Sequence, residues 1–237
     1  MSTIQAIPTT NCLLAVLPRK HQAQLLANCE QVELTLAQVL NRPGELISHV
    51  YFPIDSFIST VLPVEGAAGL EVGLVGNEGM LGATVILGVD VVPFQALVQG
   101  PGAALRIAVP LFIDEFEQSV ALQRVLKRYL YVLLSQIAQT AACNRFHVVE
   151  ARLARWLLMT QDRAYADTFY VTHLSMAYML GVRRVGITNA ANSLQKRKII
   201  HYKRGEITVL DRVALEAVSC QCYRNNKDTC QRIMDKV

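Results

Sequence analysis

Residues 172–211, THLSMAYMLGVRRVGITNAANSLQKRKIIHYKRGEITVLD, constrain this chain more than any other stretch: two helical patterns, a glycine between them and an alternating hairpin follow without a gap. Thr172 is a good N-cap, its hydroxyl suited to an orphan amide of the next turn, and Leu174, Ala177, Met179 and Leu180 supply an apolar face. Gly181 breaks that helix and tolerates the positive φ of a sharp interhelical turn, with Val182 filling the corner. In the second helix Ile187, Ala190, Ala191 and Leu194 recur at three- and four-residue spacings. That leaves Arg183, Arg184, Thr188, Asn189 and Asn192 on other faces, free for a base edge or a phosphate. Ile200 and Tyr202 alternate before Arg204-Gly205, and Ile207 and Val209 alternate after it, so period two replaces period 3.6. Lys203 and Arg204 at the hairpin tip suit phosphate contact, although a charged tip is also ordinary solvation. The order is that of a winged helix-turn-helix, with double-stranded DNA as the expected partner and a protein-docking winged helix as the alternative.

Charge supports that placement. Residues 1–118 hold four basic and eleven acidic side chains, while residues 119–237 hold nineteen and eight, so the net +4 hides a −7 half and a +11 half. The basic half carries the helix-turn-helix pattern and suits a polyanion; the acidic half would repel DNA, which points to a sensor or partner role. With 237 residues, 52% of them hydrophobic, the chain is long and apolar enough for two compact domains. The opening MSTIQAIPTTN has no basic n-region or apolar run, so no signal peptide is read and a cytoplasmic location is expected. The longest uncharged apolar stretch, 129–144, is interrupted by Ser135, Gln136, Gln139 and Thr140 and falls short of the about 20 residues of a span, so no membrane partner is expected.

The N-terminal half reads as short strands at 46–52, 57–64, 70–75, 94–98 and 103–109. Pro53, Gly66, Gly69, Gly76, Gly79, Gly82, Pro93, Gly100 and Gly102 separate them. This predicts a small antiparallel roll, with other jelly-roll or cupin-like barrels open on the pattern alone. A joining helix over 119–146 carries a stripe of Leu122, Leu126, Tyr129, Leu133 and Ile137, with Val125, Val132 and Gln136 beside it. A helix apolar on two faces needs two partners, here the roll and a second copy of itself in a homodimer. Two recognition helices about 34 Å apart would then read a palindrome. A helix over 148–159 follows, its Leu153, Trp156 and Leu157 seating the winged domain, with Asp162 and Arg163 beginning a loop. The fold class is α+β: residues 1–118 a β-roll, 119–146 a dimerisation helix and 147–237 a winged helix-turn-helix.

Taken together, these features resemble the Crp/Fnr family of transcription regulators, whose cyclic-nucleotide-binding-like roll, long helix and winged helix-turn-helix cover nearly all of the chain. The resemblance implies that the recognition helix begins at GVRRVGIT, with a base-reading arginine at Arg184 and neighbouring base contacts at Val185 and Asn189. The glutamate and arginine found at those two positions in the cyclic-AMP receptor protein are absent, so a different half-site is expected. Arg184 suits bidentate pairing with guanine, worth about 1–3 kcal/mol against a wrong base, and Val185 a thymine methyl. RNA polymerase is an implied partner. In nucleotide-binding members a glutamate and an arginine hold the ribose and cyclic phosphate; the matching places here, GMLGATV and PFQALV, offer Gly82, Ala83, Phe94 and Gln95. A phosphodiester buried without a cation is costly, so no gating by cyclic AMP is expected, and the cofactor is unknown. The pocket is either packed core or takes another small molecule. The family's helix-ending glycine is replaced by Lys198, a cost on the order of 1 kcal/mol if that backbone is left-handed. The runner-up function is a ligand-sensing roll whose main output is a protein contact.

The six cysteines, at 12, 29, 143, 220, 222 and 230, form no CxxC run and lack the closely spaced N-terminal set with which some family members hold an iron–sulfur cluster. Cys220, Cys222 and Cys230 are the only local group, suited to a metal or a redox pair, but reduced thiols in a C-terminal helix are the plainer reading and no metal ligand is assigned. His21, His49 and His147 have no spacing that supports haem. No G-x-S-x-G, Walker loop, dinucleotide fingerprint or histidine set for a cupin metal occurs, so no catalytic residue is assigned and no enzyme is expected.

Overall fold

The computed structural model describes residues 10–65 and 69–235. The Gly66 turn and most of the opening segment therefore lie outside the described residues. The N-terminal unit has strands β1 (Glu30–Leu34), β2 (Val39–Asn41), β3 (His49–Pro53), β4 (Phe57–Leu62), β5 (Leu70–Val75), β6 (Gln95–Gly100) and β7 (Gly102–Ala108). They form two antiparallel sheets, ordered β1-β7-β3 and β2-β6-β4-β5. Register sets Val50 opposite Ile107 and Ile58 opposite Val98, all four fully buried, so the apolar members of each strand face the inside of the roll. Helices α1 (Cys12–Ala15), α2 (Arg19–Ala27) and α3 (Val109–Gln118) close one end, where Leu13, Leu14, Leu25 and Phe112 join Val50, Phe52 and Ile107 in one cluster.

Several expected boundaries move. Leu46 makes only an isolated bridge to Val91, and the strand starts at His49. Pro53 and Gly100 end strands and Gly102 begins one, so these three are members of β3, β6 and β7 as well as punctuation. Val109 belongs to α3, whose first turn holds a proline where a missing amide proton costs nothing.

Helix α4 (Val120–Phe146) starts where Ser119 Oγ accepts from the Leu122 amide at 3.2 Å and spans roughly 40 Å. Its start buries Leu122, Val125, Leu126 and Tyr129 against the roll, whereas Tyr131, Leu134 and Ile137 further along are exposed. No described helix is long and apolar enough to cross a membrane.

The C-terminal unit runs α5 (Val149–Ala164), β8 (Thr168–Tyr170), α6 (His173–Leu180), α7 (Arg184–Lys196), β9 (Ile200–Lys203), β10 (Glu206–Val209), α8 (Arg212–Val218) and α9 (Cys222–Met234), with sheet order β8-β10-β9. Leu153, Trp156 and Leu157 are buried together with Met176, Ile187 and Leu194, and Phe57, Val61 and Leu74 of the roll complete the same cluster. Asp162 and Arg163 lie in the last turn of α5 rather than in a loop, because each is held by an ion pair: Arg163 to Glu78 of the roll and Asp162 to Arg212, both at 2.6 Å. Helix α9 returns along α4.

Both helices of the turn motif end alike. Val182 N donates to Ala177 O at 3.0 Å and Gly181 N to Tyr178 O at 3.3 Å; Ile199 N donates to Leu194 O at 3.0 Å and Lys198 N to Gln195 O at 2.9 Å. The first uses glycine at φ +59°, but the second holds Lys198 at φ +58°. Lys198→Gly is therefore expected to raise stability by about 1 kcal/mol, read as a higher urea midpoint with unchanged slope.

Candidate nucleic-acid interface

Thr172 Oγ1 caps α6 by accepting from the Ser175 amide at 3.1 Å, and Gly181 makes the turn into α7. Met176, Ala177, Met179 and Leu180 are the buried face of α6. Leu174 is 67% exposed, a correction to its expected core place, because at 3.6 residues per turn it lies about 140° from the centre of that buried face, with only Ala177 near it. Ile187, Ala190, Ala191 and Leu194 bury one side of α7 as expected.

The opposite side presents the expected side chains. Arg183 is the N-cap residue, and Arg183, Arg184, Val185, Asn189 and Asn192 are all exposed. Thr188 is half-buried and already engaged: its hydroxyl donates to Arg184 O at 3.1 Å and meets His173 Nδ1 at 3.1 Å. Lys203 and Arg204 are exposed at the hairpin, where positive φ at Arg204 (+53°) and Gly205 (+89°) makes the two-residue turn that matches strand twist.

Sequence reasoning missed His173. Its ring stacks on Tyr202 of β9, with centroids 4.2 Å apart and planes at 17°, so it joins the first helix, the recognition helix and the wing. Burial, then the Arg184 charge, lowers its pKa below the ordinary histidine value. Neutral His173 adds no charge beside Arg184. Nothing in the local pattern marks it, since Tyr202 is distant in sequence.

Of the four expected pocket residues, Gly82, Ala83 and Phe94 line one apolar cavity of about 290 Å³ between the roll and α4. Gln95 is not among its lining residues. Asn41, Thr60, Thr84 and Gln136 are the polar members of its wall, and no charged described side chain lines it. Such a cavity suits an apolar guest and offers a phosphate no cation. The thiols regroup as well: Cys220 and Cys222 lie with Cys143 and His147, while Cys230 sits about two turns further along α9.

Residues 151–218 match the family model of the Crp-like helix-turn-helix domain. The chain carries a Crp-like helix-turn-helix domain. The fold outside that domain is also similar to solved structures. A putative transcriptional regulator of the Crp/Fnr family from Eubacterium rectale is similar at 15% identity and TM-score 0.68, over 87% of this chain and 97% of that one. The c-di-GMP-responsive global regulator of Xanthomonas campestris is similar at 16% identity and TM-score 0.66, over 81% and 99%. A CRP-family transcriptional regulator from Thermus thermophilus is similar at 15% identity and TM-score 0.66, over 79% and 96%. None of the curated proteins matches by sequence. Over 79–87% of its length the chain thus has the fold of these regulators, with the Crp-like helix-turn-helix domain in its C-terminal unit.

Proposed function

We propose that the protein is a cytoplasmic transcription regulator that binds a palindromic DNA site as a homodimer, through its Crp-like domain, without gating by cyclic AMP. The observation that carries this is the free side of α7, where Arg183, Arg184, Val185, Asn189 and Asn192 are exposed together on a helix whose other side is fully packed. Arg184 reads a guanine, Val185 and Asn189 tune neighbouring bases, Thr188 steadies the first turn, and Lys203 and Arg204 hold phosphate.

Residues 1–118 serve as the roll, 119–146 as the dimer helix and 147–237 as the DNA-binding unit. Dimerisation is supported by Tyr131, Leu134, Ala138 and Ala141, all exposed and spaced alternately three and four apart, the seam of a two-helix coiled coil. RNA polymerase remains a partner by family likeness. Independence from cyclic AMP rests on the uncharged wall of the roll cavity.

Selection of duplexes from a random pool, with and without cyclic AMP, tests the reading: the same palindrome is expected in both. Arg184→Ala should lose about 1–3 kcal/mol of discrimination at one base pair, whereas Lys203→Ala should weaken all sequences alike and reduce the salt slope by about 1. Unchanged preference in Arg184→Ala, or enrichment only with cyclic AMP, overturns it.

A further inference from the structure

We infer that Cys143, His147, Cys220 and Cys222 form a zinc site that fastens the end of α4 to the start of α9. One ligand atom from each lies within 4.8 Å of all the others. Cys143 Sγ is 3.5 Å from Cys220 Sγ, and Cys222 Sγ is 3.5 Å from His147 Nδ1. A tetrahedral zinc with sulfur at about 2.3 Å and nitrogen at about 2.0–2.1 Å needs edges of roughly 3.8 and 3.5 Å, so these four atoms surround a point of the right size. A disulfide between Cys143 and Cys220 would account for neither the third sulfur nor the imidazole.

The surroundings are those of bound thiolates. Gln139 Nε2 donates to Cys222 Sγ at 3.1 Å, and Arg155 lies against Cys143. Arg152 and Arg155 are buried, no described carboxylate lies within ion-pair distance of either, and the Nε of each has no hydrogen-bond partner among the described residues. Three thiolates, one neutral imidazole and a divalent ion carry one net negative charge, which offsets one of these two buried positive charges. Four protein ligands close the coordination shell, so the role is structural. Cys143 lies in the last turn of α4, His147 follows that helix, Cys220 lies between α8 and α9, and Cys222 opens α9. The metal therefore spans the joint between the long helix and the DNA-binding domain.

The full chain, purified with a thiol reductant, loaded with zinc and dialysed against metal-free buffer, is expected to keep about one zinc per chain. Cobalt(II) in its place should show the thiolate charge-transfer and d–d absorption of a tetrahedral site, a readout that needs no variant. His147→Ala and Cys222→Ser should each weaken binding more than tenfold and Gln139→Ala by about 10–100-fold, while Cys230→Ser keeps wild-type affinity. Wild-type protein that retains no zinc, an octahedral cobalt spectrum, or loss of zinc in Cys230→Ser equal to that in Cys222→Ser overturns the site.

Discussion

Trp156→Ala is expected to lower the free energy of unfolding by about 3–5 kcal/mol, the range for emptying an aromatic site that its neighbours cannot collapse to fill. Trp156 is buried in the cluster that joins Leu153 and Leu157 of α5 to Phe57, Val61 and Leu74 of the roll. Its Nε1 also donates to Glu71 at 3.0 Å, across the boundary between the two units. The truncation removes packing and leaves a buried carboxyl short of a donor. Trp156→Phe keeps a six-membered ring but loses the N–H and part of the indole's bulk, so its expected cost of about 1–3 kcal/mol is an upper bound on the hydrogen bond. Urea unfolding followed by circular dichroism measures both. Equal losses would show that the ring kept by phenylalanine adds little packing, and an unshifted midpoint for the alanine variant would remove Trp156 as the link between the units.

Glu71→Gln should change the pH dependence of stability by a comparable amount. Burial pushes the Glu71 pKa up to about 7 from 4.5, against the opposing pull of bonds from Ser59 and Trp156 and of the Arg163 and Arg155 charges. The native state therefore holds a proton that the unfolded chain has already released between those two values. Stability is highest below pH 4.5 on this account, falls as pH rises towards 7 and is level above it. The difference corresponds to about 3 kcal/mol. Glutamine keeps a carbonyl for Trp156 and an amide for Ser59 without the charge. Its unfolding free energy should lack this downward slope, with the largest gain over the wild type near pH 8. Parallel curves for the two proteins, at matched metal content, would show that Glu71 does not titrate in this way.

The helix-turn-helix was legible because its determinants are local. Thr172, Gly181, the buried quartet of α7 and the Arg204-Gly205 turn act through caps, left-handed backbone and periodicity, all within one or two turns of themselves. Leu174 misled because an apolar residue in a short helix carries no sign of which side the core occupies. Helix α3 was missed because Val109 continues a β-rich stretch, although the proline beside it is a helix-start signal. Strand β8, with both flanking positions exposed, draws its stability from pairing to β10 rather than from any pattern of its own.

The amino-acid sequence by itself determined the order of the roll, the long helix and the basic winged unit. It also determined the face of α7 that carries Arg184, because period and charge are properties of neighbouring residues. Only the tertiary structure decided that Trp156 meets Glu71, that His173 stacks on Tyr202, that Gln95 stays out of the cavity lining and that Cys143 and His147 join Cys220 and Cys222. Those meetings depend on where α9 turns back along α4 and how α5 packs on the roll. They are set by the shape of a shared core, which no local spacing encodes.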